Sequence, residues 1–168
     1  MSANGVCLVS GSSSGIGAEI ATYFASQNFN IVVNYNSGQE RAETIAAKIR
    51  KRNNVEVLVI QADLTDPEAA SNLVKESYVH FGRLDVCISN SGVANYIKDK
   101  DGNLMRFRFQ DTPTTHLEKE MQRVLSLNLL GSYRLGQNAL SVMIEQAEKE
   151  SELKQVVPHR SILFVTSI

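Results

Sequence analysis

The 168-residue sequence has no tryptophan, two cysteines, three prolines and three histidines. Two cysteines without a CxxC spacing provide neither a disulfide framework nor a zinc site. Cys7 and Cys87 each stand inside an apolar run of strand type, so buried, reduced thiols are expected. His80, His116 and His159 do not cluster and show no metal-ligand spacing. His80 reads as a charge near a helix C-terminus and the other two as loop surface, so no metal is expected. Neither sign of charge dominates: 17 basic side chains against 18 acidic ones, net −1. That removes the basic footprint of a nucleic-acid binder. No apolar run approaches the roughly 20 residues of a membrane span. Met1 to Gly5 lead directly towards a strand, without the charged and apolar regions of a signal peptide. A cytoplasmic protein with no membrane partner is expected.

What is present is an ordinary globular composition, 43% apolar and 21% charged. Residues 1–168 suffice for a single domain with a sizeable core. The most informative segment is Val6-Cys7-Leu8-Val9-Ser10-Gly11-Ser12-Ser13-Ser14-Gly15-Ile16-Gly17. A short apolar strand enters a glycine-rich turn, and a helix opens with Ile16, Ile20 and Phe24 on one face. In that context glycines permit close backbone approach to a pyrophosphate, and the helix start offers free N–H groups and a favourable dipole.

Strand and helix patterns then alternate. Strands are expected at Val6–Ser10, Asn30–Asn34, Val55–Gln61, Leu84–Ile88 and Ser161–Thr166. Helices are expected over 15–27, around Ala42, Ile45, Ala46 and Ile49, from Asp66-Pro67-Glu68 to Gly82, and from Leu117 to about Glu150. Ala70, Leu73, Val74 and Ser77 form the inward face of the third helix. Apolar strands alternating with amphipathic helices imply a parallel sheet covered on both faces. Right-handed crossovers then favour an α/β doubly wound parallel sheet of strand order 3-2-1-4-5. The one irregular stretch is Ala94–His116, where Lys100-Asp101-Gly102-Asn103 marks a turn joining Tyr96–Lys98 to Leu104–Phe107.

Four signatures follow one another in order: Gly-x-x-x-Gly-x-Gly at Gly11, Gly15 and Gly17; Asp63-Leu64 after the third strand; Ser89-Asn90-Ser91-Gly92 after the fourth; and Asn128-Leu129-Leu130-Gly131 in the long helix. With Ser161 to Ser167 on the fifth strand, the chain resembles the short-chain dehydrogenase/reductase family, in its compact branch of 3-oxoacyl-carrier-protein reductases and glucose dehydrogenases. The resemblance implies a Rossmann fold, here without the C-terminal strands. It also implies hydride transfer between a nicotinamide dinucleotide and a small-molecule carbonyl or secondary alcohol.

By that resemblance Gly11, Ser12, Ser13, Gly15, Ile16 and Gly17 cradle the cofactor diphosphate. The alternative reading of the same residues is a tight turn with close helix packing and no ligand. Asn34 stands where an acid would grip the ribose hydroxyls of NAD. The run Asn34-Tyr35-Asn36-Ser37 is neutral, so NADP is preferred, with NAD as the alternative. Arg41 either assists or is an exposed helix charge, and the glycine turn carries no arginine or lysine. Asp63 and Leu64 take the adenine, the alternative being a cap for the following helix. Asn90, Ser91 and Gly92 line the nicotinamide side, and Ser89 and Ser91 replace the family's usual asparagine and alanine. Asn128 lies on a helix apolar nearly all round and is expected to be buried. It is either a core amide bonded to backbone or the family asparagine that holds a relay water. Ser167 aligns with the catalytic serine that steadies charge on the substrate oxygen.

The family's tyrosine, and the lysine four residues beyond it, follow that serine, and the sequence stops at Ile168. Tyr96 and Lys100 match the spacing, but they precede the asparagine helix in a segment broken by Asp101-Gly102, and a helix is needed to put both on one face. Asp99, Asp101 and Asn103 do not complete a calcium loop. Arg106-Phe107-Arg108-Phe109 reads as a two-sided strand in so neutral a chain. The polypeptide is therefore expected to keep the cofactor cradle without turnover. The alternatives are a non-catalytic dinucleotide-binding module or an incomplete gene product. The resemblance implies homo-oligomers in full-length relatives, through the long helix and the next one; without that next helix the same assembly is not expected here. Residues Ile162–Val165 are expected to form an open apolar edge.

Overall fold

The computed structural model describes residues 3–94, 96–98, 104–106, 114–153 and 158–165. The strands of the main sheet are β1 (Gly5–Val9), β2 (Phe29–Tyr35), β3 (Val57–Gln61), β4 (Val86–Ser89) and β7 (Ser161–Phe164). They run parallel in the order β3-β2-β1-β4-β7, which is the expected 3-2-1-4-5 arrangement. A separate antiparallel pair, β5 (Tyr96–Lys98) and β6 (Leu104–Arg106), forms the hairpin the turn residues suggested.

Strand parity sorts the core into two layers. Val6, Leu8, Val32 and Cys87 face one side and pack with Leu73 and Val74 of α3 (Pro67–Phe81) and Leu135 and Ala139 of α5 (Ser132–Glu152). Cys7, Val9, Ile31 and Val33 face the other, beneath α1 (Gly15–Ser26) and α2 (Gln39–Arg52). The register Cys7↔Val86 and Leu8↔Cys87 therefore puts the two thiols on opposite faces. Both are free, and burial pushes their pKa values up, that of Cys87 to about 12.

Helix α3 begins as its sequence requires. Asp66 Oδ1 accepts from the Glu68 N–H at 2.8 Å, and Pro67 occupies the first turn. Gly82 ends the helix in the left-handed conformation, φ +70°. His80 in the last turn sits 2.6 Å from Glu56 Oε1.

The long helix is continuous but not uniform. Helix α4 (Thr114–Val124) passes into an i→i+5 turn over Leu125–Gly131 before α5 resumes. Such wider turns commonly mark functional positions. Here the sequence reading needs correction, because apolarity all round suggested burial all round. The inner side does pack on the sheet, but Met121, Leu125, Leu129, Leu130, Tyr133, Leu140 and Ile144 are exposed, and so is Asn128. Among the described residues nothing covers that outer side. The apolar edge appears as expected: Leu163, Phe164 and Val165 on and beside β7 are 41–52% exposed. Among the described residues no helix is long and apolar enough to cross a membrane.

Candidate functional site

The C-terminal ends of β1, β2, β3 and β4 open onto one cleft, at the point where strand order reverses about β1 and β4. It has two compartments that share Asn90, Ser91, Gly92 and Val93. One, of about 310 Å³, lies between the glycine turn, Tyr35-Asn36-Ser37, Arg41 and Asp63. The other, of about 430 Å³, is bounded by Ile16, Ala94, Asn128, Ser132 and Val165.

The glycine turn is built for close approach. Gly11 (φ +62°) and Gly15 (φ +57°) adopt a conformation other residues rarely hold. A Cβ on Gly11 would meet Ser91, and one on Gly17 would lie 2.5 Å from Asn90 Nδ2 and 2.6 Å from the Gly11 oxygen. A Cβ on Gly15 would meet nothing within 4 Å, so this backbone faces open space. Ser14 makes no capping bond with its side chain, and the first turn of α1 contains no acid. Among the described residues neither the cap nor the first turn of α1 supplies an anionic partner for its positive end.

Behind the turn lies a layer of buried hydrogen bonds. Asn34 is only 1% exposed. Its Oδ1 accepts from the Gly11 N–H (3.1 Å), and its Nδ2 donates to the Ala62 oxygen (3.2 Å). The Ser12 hydroxyl donates to the Val9 oxygen (2.7 Å) and accepts from the Asn34 N–H (3.1 Å). Asn34 and Ser12, assigned from the sequence to ligand contact, therefore brace the turn from inside. The residues that reach the cleft at the end of β2 are Tyr35, Asn36, Ser37 and Arg41. The strand end holds the signal: Asn34 is still within β2, whereas Asn36 lies just past Tyr35, its last residue.

Ser10 was not singled out by sequence, yet it joins β1 to β4. Its hydroxyl accepts from the N–H groups of Asn90 and Ser91, both at 2.9 Å. Asn90 Nδ2 returns bonds to the Ser10 oxygen (3.0 Å) and the Gly11 oxygen (3.3 Å). The amide of Asn128 clamps the next residues: Oδ1 accepts from the Val93 N–H (2.9 Å) and Nδ2 donates to the Val93 oxygen (2.8 Å). Asn128 thus bonds to backbone at the cleft wall and is exposed, not buried in the core as expected.

Asp63 lies on the rim. Its Oδ1 accepts from the N–H and hydroxyl of Thr65, and its Oδ2 from Asn36 Nδ2 at 3.0 Å. Partial burial pushes its pKa up, but these donors together outweigh it and hold the carboxyl below its ordinary value. Leu64 beside it is buried. Ser167 lies outside the described residues, as do Thr166, Lys100, Asp99, Asp101 and Asn103. Tyr96 belongs to strand β5 rather than to a helix.

A sequence-family model for short chain dehydrogenase matches residues 5–151. The chain belongs to the short-chain dehydrogenase/reductase family. Among curated members it is similar to versicolorin reductase 1 of Aspergillus parasiticus, 36% identical over 140 residues, covering 83% of this chain and 48% of that one. It is also similar to a 3-oxoacyl-[acyl-carrier-protein] reductase of Staphylococcus aureus, 34% identical, covering 83% and 50%. The chain spans about half the length of the curated relatives it matches. Among solved structures, a Serratia marcescens short-chain dehydrogenase/reductase superposes with a TM-score of 0.70 at 26% identity, covering 83% of this chain and 51% of that one. An archaeal alcohol dehydrogenase from Thermococcus sibiricus, solved with 5-hydroxy-NADP, shares the fold at a TM-score of 0.70 and 24% identity, covering 84% and 54%.

Proposed function

We propose that this chain binds a nicotinamide dinucleotide across the cleft, NADP in preference to NAD, and carries the cofactor-binding part of a carbonyl reductase or alcohol dehydrogenase. The observation that carries the reading is the bare start of α1: glycine backbone facing open space, with no capping side chain and no acid in the first turn. A diphosphate supplies the negative charge that this helix end lacks. Gly15, Ile16 and Gly17 offer the N–H groups, with Gly11 and Ser13 on the approach, while Ser12 and Asn34 hold the turn in shape.

The preference for NADP rests on the end of β2. Asn36 and Ser37 are neutral, and Arg41 brings a guanidinium to the same compartment, donating to the Ser37 oxygen at 3.3 Å. The run Asn34-Tyr35-Asn36-Ser37 at the end of β2 contains no carboxylate to repel a 2′-phosphate. Asp63 accepts from the adenine amino group, its carboxylate aimed by Thr65 and Asn36. Asn90, Ser91 and Gly92 border the nicotinamide compartment, where Asn128 fixes Val93. The dinucleotide, when bound, supplies the hydride chemistry. Ser167 steadies the substrate oxygen in a longer form of the chain.

Titration calorimetry tests this directly. NADP⁺ is expected to bind at least about tenfold more tightly than NAD⁺, a difference of about 1.4 kcal/mol. Absence of heat with both coenzymes, on folded protein, overturns the reading.

A further inference from the structure

Gly131 ends the wide turn of the long helix with φ −62° and ψ −45°, ordinary helical values that any residue adopts. Its backbone conformation therefore does not call for glycine, and glycine weakens a helix interior relative to alanine. What calls for it is a neighbour. A Cβ here would lie 2.8 Å from the backbone oxygen of Leu64, 3.2 Å from its Cβ and 3.3 Å from its carbonyl carbon. Leu64 is 2% exposed, and its peptide group has no free end to swing aside.

The same stretch of helix touches both walls of the cleft. Arg134, three residues on, donates from Nη1 to the Thr65 oxygen at 3.1 Å. Thr65 in turn holds the Asp63 carboxylate. On the other side Asn128, three residues back, holds both backbone groups of Val93, which borders both compartments. Leu127 faces the Asp63 compartment directly. Residues 127 to 134 thus form a bracket between the Asp63–Thr65 wall and the Gly92–Val93 wall. The closest approach in it is Gly131 on Leu64.

We infer that Gly131 is a positioning residue: its missing side chain sets the distance between the adenine-side wall and the nicotinamide-side wall. The inference rests on the proposed dinucleotide site, but its geometric part does not need a ligand. Gly136 supplies a control one helical stretch away. A Cβ there would meet Phe164 Cζ at 2.8 Å, the tip of a half-exposed ring that can move aside and that lines neither compartment.

The test compares Gly131→Ala with Gly136→Ala in the full 168-residue chain. In the ligand-free protein, the Val93 amide resonance is followed by NMR for its shift and its hydrogen-exchange protection. Gly131→Ala is expected to move that resonance and cut its protection at least tenfold, and Gly136→Ala to leave both as in wild type. Calorimetry with NADP⁺ is expected to show at least a tenfold loss of affinity for Gly131→Ala and less than a twofold change for Gly136→Ala. An unchanged Val93 signal in Gly131→Ala, or equal losses in both variants, overturns the inference. If Gly131→Ala does not fold, Arg134→Ala decides, since it cuts the Thr65 tie without adding an atom. Loss of Val93 protection supports the bracket, and full protection overturns it. Wild-type protein that fails to bind either coenzyme defeats the dinucleotide reading instead, and the ligand-free Val93 result stands apart from it.

Discussion

Helices α1 and α3 both follow a strand of the same parallel sheet, and they begin in opposite ways. The start of α3 is complete in itself: Asp66 caps the Glu68 N–H, Pro67 takes a position that needs no donor, and Glu68 adds an acid in the first turn. The start of α1 has none of these: no bond from the Ser14 side chain, no first-turn acid, and glycine where a side chain would fill the approach. A capped start stabilises the free protein, whereas an uncapped start keeps N–H groups and dipole for something that arrives later. The difference separates a helix end used for folding from one used for recognition.

The comparison breaks most severely at Gly17. Replacing it with valine drives a branched side chain into Asn90 and the Gly11 oxygen. We expect dinucleotide binding to fall below detection in calorimetry. Denaturant melts should also show a loss of about 1–3 kcal/mol from overpacking. Normal affinity in folded Gly17→Val would mean the turn does not form the cradle.

Ile16→Glu sharpens the contrast by making α1 resemble α3. Ile16 is 67% exposed, so the fold has room for the change. An acid in the first turn should stabilise the free protein by about 0.3–1 kcal/mol through the dipole. It should also repel the diphosphate and weaken binding about tenfold, near 1.4 kcal/mol. The opposite signs are the point: a variant that gains both stability and affinity removes the case for an anion at this helix end.

Asp66→Ala performs the reverse operation on α3. Loss of the cap is expected to cost about 1 kcal/mol of stability in denaturant melts. NADP⁺ affinity should stay within about twofold, because α3 starts outside the lined cleft.

The smallest effect is that of pH on Asp63. Its folded pKa lies below the unfolded one, since the Thr65 and Asn36 donors favour the charged form. The contribution is complete above the unfolded value of about 3.9, and it is lost as pH falls through the folded value. Stability curves of wild type and Asp63→Asn should therefore run parallel at neutral pH and converge only under acid. Convergence on the alkaline side would contradict the hydrogen-bond assignment.

Much of this arrangement was legible in the residues themselves. The strand-turn-helix at Val6–Gly17, the Asp66-Pro67-Glu68 start and the left-handed Gly82 are local matters of backbone conformation and capping, and short windows of sequence report them well. The sheet order followed from alternation and crossover handedness. What was misjudged depends on distance in space. Asn34 and Asn36 have the same chemistry and stand two residues apart, on either side of the last residue of β2. Only the packing of β1 and β3 on either side of β2 buries the first amide on Gly11 and Ala62 and leaves the second at the rim. Ser10 gave no signal, because a serine after a strand is commonplace until β4 arrives to share its hydroxyl. Asn128 was expected inside because its helix is apolar on every side. Apolarity states a preference for burial, whereas covering a surface requires another surface.

The order of residues alone settled the alternation of strands and helices, the glycine turn and the capped start of α3, because each is governed by steric and hydrogen-bonding rules that act within a few residues. Tertiary packing alone decided which amide braces the turn, which hydroxyl ties β1 to β4, and why Gly131 must be small against Leu64. These are contacts between segments far apart along the chain, and steric fit between them exists only after the sheet has brought them together.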